Sequence, residues 1–164
     1  MKPITFDKAL VLFKKLAAQS PTRSYAQTFH VAASGKLSYT DGFALIALSC
    51  RHSFAEGVYR LDGQPSSVKY PNTRNIIDTT KNTNLIKDVS PLLHIAPLIK
   101  PASKQLVIIS DDARLDGDSG INLKYLSLLP TLGVIRVAKY GDLYHGVDES
   151  GNADVYVMEC RKNV

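Results

Sequence analysis

Over residues 6–19 the apolar positions Phe6, Ala9, Leu10, Phe13, Leu16 and Ala17 recur at helical spacing, and they predict one amphipathic helix with a single apolar stripe. Thr5 stands where an N-cap belongs, and Ser20-Pro21 stops the helix. Asp7, Lys8, Lys14, Lys15 and Ala18 fall on the opposite face. From Tyr25 the period changes to two. Tyr25, Gln27, Phe29 and Val31 share one face of a strand predicted over 25–33. Ser34-Gly35 turns the chain into a second strand over 36–40. Asp41-Gly42 breaks it, a third strand follows over 43–50, and a fourth over 56–61 ends at Asp62-Gly63.

The pattern then lapses. Residues 64–84 are polar, with apolar character only at Ile76-Ile77, and predict a long loop carrying about one helical turn. Over 85–99 helical and strand-like spacings coexist, and Pro91, Pro97 and Pro101 oppose one continuous helix. A buried strand is predicted over 106–110, and an acidic, glycine-bearing loop over 111–120. A strand running into a helix follows near Ile121. That helix, placed at 122–132, turns Leu123, Leu126 and Leu129 inward and is capped by Gly133. Strands over 134–140, 143–147 and 154–161 close the chain, joined by turns at Gly141-Asp142 and 149–152. The organisation is one α+β domain of two helix-then-strand halves, about 1–63 and 105–164, around a polar spacer at 64–104. In such a plan each helix covers a face of its antiparallel sheet.

Apolar residues make up 45% of the chain, which excludes disorder by composition. No apolar run reaches the roughly 18 residues that a membrane span needs, and the charged N-terminus does not read as a signal peptide. Cys50 and Cys160 predict a pair of reduced thiols in a cytoplasmic protein rather than a disulfide framework. The formal charge of +5 is compatible with a polyanionic partner. Candidate chemistry is sparse. Gly117-Asp118-Ser119-Gly120 looks like a serine-protease nucleophile segment, but no His carries the matching flanks, so a turn is expected there. Asp111, Asp112, Asp116 and Asp118 do not follow the EF-hand spacing. His30, His52, His94 and His145 are scattered, and Asp41 is expected to close a turn. Nothing calls for a metal, a cofactor or catalysis.

The order of these motifs carries further. The helix, Thr22-Arg23-Ser24, the strand, the Gly35 turn, Tyr39-Thr40-Asp41 and the alternating strand after it stand in one half of the chain. Tyr70-Pro71-Asn72-Thr73-Arg74 follows. Ile121-Asn122-Leu123-Lys124-Tyr125-Leu126 and the closing Tyr156-Val157-Met158 stand in the other half. Together they resemble one domain of the bacterial DNA sliding clamp, the polymerase processivity factor (beta subunit). Where that family places a proline after the closing Met, this chain has Glu159. The resemblance implies a clamp-like fold and a non-enzymatic, replication-associated role, and the small size suits a viral or mobile-element version. It implies that Lys8, Lys14, Lys15, Arg23 and Lys124 face the backbone of double-stranded DNA without reading bases. It also implies self-assembly through edge strands, such as the one ending at Arg161, and a replication-protein partner. The alternative is a protein-interaction module with a clamp-like fold that binds or mimics a protein and never touches DNA.

Overall fold

Helix α1 runs Phe6–Ala18 because its sequence satisfies both ends. The Thr5 hydroxyl accepts the Lys8 N–H at 3.4 Å, Asp7 lies in the first turn and Lys15 in the last, the signs that suit the helix dipole. At the far end the Gln27 side-chain amide donates to the carbonyls of Ala17 and Ser20, both at 3.0 Å. That bond explains the first departure from the sequence pattern. Tyr25–Gln27, expected in a strand, forms a 3₁₀ turn, since Gln27 is drawn back to close α1 and Ala26 is buried beneath it.

The computed structural model describes residues 4–82, 87–95, 108–109 and 119–161. The chain divides into two compact units, Met1–Arg74 and Asn75–Val164.

In the first unit β1 (Thr28–Val31), β2 (Leu37–Thr40), β3 (Ala44–Leu48) and β4 (Gly57–Arg60) form an antiparallel array in the order β4-β1-β2-β3. Phe29, Val31, Leu37 and Tyr39 share its buried face. Phe13 of α1 stacks on Tyr39 with centroids 4.8 Å apart, and Phe6 meets Phe29 edge-on at 5.9 Å. Ala9, Leu12, Phe13, Leu16 and Ala17 are the buried positions of α1, whereas the expected Phe6 and Leu10 are half-buried. The β2–β3 turn is built by Asp41, whose carboxylate accepts the N–H groups of Phe43 and Ala44 at 3.0 Å, and Gly42 adopts φ 94°.

The outer flank of β4 is not bare. The chain doubles back so that Arg60 N–H donates to Gln64 C=O at 2.8 Å and Ser66 N–H to Val58 C=O at 2.9 Å. Pro65 stands opposite Tyr59. Tyr70 then stacks on His30 (5.3 Å) and reaches Ser38 (3.4 Å), on the face of the array opposite Phe29 and Tyr39.

The expected loop with one helical turn is a nine-residue helix, α2 (Arg74–Asn82), whose first residue ends the first unit and whose remainder opens the second. The Asn72 side-chain oxygen Oδ1 accepts the Arg74 N–H at 3.1 Å at its start, a bond that the polar composition concealed. Next come β5 (Lys87–Asp88), a single turn α3 (Leu92–Ile95) and β6 (Ile108–Ile109). Strand β7 (Ser119–Asn122) lies between β6 and the last short strand, β11 (Cys160–Arg161). Ser119-Gly120 is therefore strand rather than turn: Gly120 pairs with Cys160 and Ser119 with Arg161. The aspartates at 111–118, with Gly117, Leu106, Val107 and Ser110, lie outside the described residues.

The helix expected over 122–132 is interrupted. Asn122 caps α4 (Leu123–Leu126), and a 3₁₀ turn, Pro130–Leu132, ends at Gly133 with φ 77°. Pro130 has no N–H to continue the helical ladder. Strands β8 (Val134–Tyr140), β9 (Leu143–Asp148) and β10 (Ala153–Met158) then run antiparallel in the order β10-β9-β8-β5, with Val137, Leu143, Tyr144, Val155 and Val157 buried. At Glu159 the chain steps from β10 into β11.

Candidate polyanion-binding face

Three of the five cations singled out by sequence stand together on α1. With its apolar stripe buried, the helix turns Asp7, Lys8, Val11, Lys14, Lys15 and Ala18 outward, and all six are exposed. Lys8 and Lys15 lie two turns apart, about 10 Å along the axis, with Lys14 beside them. Among the described residues no carboxylate pairs with any of the three lysines, and Asp7 is the one acidic side chain on the face. Val11, 68% exposed, separates the first lysine from the other two. The face is a row of hydrated point charges on a rigid rod, which suits a phosphate backbone and offers no base-reading geometry.

Arg23 is placed differently. Its guanidinium donates to the Asp41 carbonyl at 2.6 Å and lies over the Phe43 ring, 4.5 Å from the centroid. It thereby ties the segment after α1 to the β2–β3 turn, and Phe43, half in solvent, is held under it. Lys124 belongs to α4 in the second unit. It is half-buried, with its ammonium 5.0 Å over the Tyr125 ring. Leu123, Tyr125 and Leu126, the rest of that single turn, are buried.

The charge follows the division of the chain. Met1–Arg74 holds ten Lys and Arg against four Asp and Glu, a net +6, and Asn75–Val164 holds ten against eleven, a net −1. The whole positive excess belongs to the unit that carries α1.

Two polar constellations escaped sequence reasoning. Lys139 of β8 meets Glu159 at 3.0 Å, with both side chains under a tenth exposed, and the Glu159 N–H donates to Asp142 C=O at 2.8 Å. The glutamate that departs from the clamp pattern is thus the buried counter-ion at the step between two sheets. On the β9–β10 hairpin His145 meets Asp154 at 2.9 Å and stacks on Tyr156, with ring centroids 4.3 Å apart. Burial, with the Asp154 charge next to it, pushes the Tyr156 phenol up to about 12, against a smaller opposing effect of its hydrogen bond with Thr80. The hairpin register, countable from the 149–152 turn, was the signal available for this second group. His52 bridges Gly35 C=O (2.6 Å) and the Phe54 N–H (3.1 Å), while His94 is exposed. His52 holds a turn, His30 a stack on Tyr70 and His145 a hairpin.

No protein-family model matches the chain, and no curated protein matches it. Among solved structures it is similar to a protein of Eubacterium rectale ATCC 33656, determined at 2.26 Å and described as a "Putative DNA polymerase III beta subunit". The TM-score is 0.55 and the identity 10%, over 92% of this chain and 63% of that one. The likeness is one of fold: this chain has the α+β, clamp-like architecture that its motif order implies. Among the described residues no helix is long and apolar enough to cross a membrane.

Proposed function

We propose that this protein is a non-enzymatic, DNA-associated module of the sliding-clamp type, which holds double-stranded DNA by its phosphate backbone. The observation that carries this reading is the exposed face of α1, where Lys8, Lys14 and Lys15 stand without carboxylate partners among the described residues. The clamp-like fold supports it, since the similar solved structure is described as a polymerase beta subunit. Arg23, already engaged with its own unit, joins the proposed set in a lesser role, whereas Lys124, half-buried with its ammonium over the Tyr125 ring, is left outside it. Strand β11, at one edge of its small sheet, is the proposed joint for self-assembly, and a replication protein is the proposed partner.

Anisotropy titration of labelled duplex DNA tests the reading. Three phosphate contacts give a slope of about −3 in log K against log salt, so affinity falls roughly forty-fold between about 50 and 200 mM salt. Lys14→Glu/Lys15→Glu abolishes this binding. Retention of full affinity by that variant, or no binding by the parent at low salt, refutes the proposal.

The second reading, a protein-interaction module that leaves DNA alone, is favoured by Ile135 and Met158, each about half exposed in the second unit. A protein that is monomeric in light scattering and indifferent to DNA supports it.

A further inference from the structure

We infer that the DNA contact is carried by the first unit alone, so that the protein grips one stretch of backbone electrostatically rather than enclosing the duplex. This rests on the DNA reading above and goes beyond it by saying which part of the molecule binds and how the bound state is held. Two independent observations lead here. The first is the charge division, +6 in Met1–Arg74 against −1 in Asn75–Val164. A polyanion is attracted to the former and mildly repelled by the latter. The second is the state of the helices. α1 has thirteen residues and a full outward row of lysines. α4 is a single turn of four residues, three of them buried, and its lysine lies over Tyr125. In the part of α2 that belongs to the second unit, Asn75 is exposed and Asp78 half-buried. A module that encloses DNA needs cationic helix faces from both of its halves, and among the described residues one half supplies them.

A complex held this way depends on salt alone. A closed ring remains threaded on circular DNA when its electrostatic contacts are screened, whereas a grip by one charged face is released from circular and linear DNA alike. The test uses the full chain with one duplex sequence in two forms, linear and covalently closed circular. Binding is measured across a salt series for the parent, for Lys14→Glu/Lys15→Glu and for Lys124→Gln, with far-UV circular dichroism checking that each variant is folded. Equal salt sensitivity on both DNA forms is expected, with loss of measurable binding for the α1 variant. Lys124→Gln is expected to keep the parent's affinity and salt slope within twofold. Retention on circular DNA at a salt concentration that strips linear DNA overturns the inference. So does a Lys124→Gln loss comparable to that of the α1 variant. Both of those outcomes leave the DNA reading standing. A parent chain that binds neither form at low salt removes the DNA reading itself, and the inference with it.

Discussion

Replacing Lys139 by Met keeps the length of the side chain and deletes its charge, which leaves the Glu159 carboxylate, itself under a tenth exposed, without the ammonium 3.0 Å away. The cost comes from the stranded charge more than from the lost attraction. Removing one partner of a buried ion pair typically destabilises by about 3–5 kcal/mol, because the survivor stays desolvated and uncompensated. In a chain of 164 residues each kcal/mol corresponds to roughly 2–4 °C in Tm, so a loss on the order of 10 °C is expected. The double variant Lys139→Met/Glu159→Leu removes both charges and should recover most of that loss, to within about 1–2 kcal/mol of the parent. The chain contains no Trp, so unfolding is followed by far-UV circular dichroism in urea and on heating. A single variant within about 1 kcal/mol of the parent would show that water reaches the pair. A double variant as unstable as the single would show that the methylene packing of Lys139, and not its charge, matters.

Gln27→Ala removes the amide that closes the C-terminus of α1 on the carbonyls of Ala17 and Ser20, and a loss of about 1–2 kcal/mol in urea unfolding is expected, with no change in the salt slope of DNA binding. For pH, the folded phenol of Tyr156 titrates near 12 against an ordinary value of 10.0. A raised folded value stabilises fully below pH 10.0 and is lost as pH climbs through 12, so stability declines across that window, and Tyr156→Phe flattens the decline. Asp148 behaves in the opposite sense. Burial would raise its carboxyl, but bonds from the N–H groups of Ala153, Asn152 and Gly151 and from the Ser150 hydroxyl outweigh that and hold it below 3.8. Its contribution is present above 3.8 and lost as pH falls further, and Asp148→Asn removes that acid-side dependence.

What could be read ahead of the structure was local. The apolar period of α1, its Thr5 cap and its outward lysines depend on residues within four positions of one another, and β8 begins and ends where the pattern placed it. The misses share a cause, which is a partner distant along the chain. Tyr25–Gln27 alternates like a strand, but Gln27 is claimed by α1, ten residues back. Arg23 looks like a free cation until Asp41, eighteen residues on, supplies its acceptor. Ser119-Gly120 reads as a turn by composition and becomes strand because Cys160 and Arg161 pair with it. The motif order conveyed the clamp-like fold, yet Glu159 registered only as a departure, because the lysine that explains it stands twenty residues earlier.

The doubled-back segment 64–66 has a bearing on crowding and assembly. With Val58 C=O and Arg60 N–H already spoken for, and with proline opposite Tyr59, an incoming polypeptide that approaches β4 finds no ladder to lengthen. The protein can therefore be concentrated, or packed along a nucleic acid, without this border templating fibrils. Copies that join must do so at another margin.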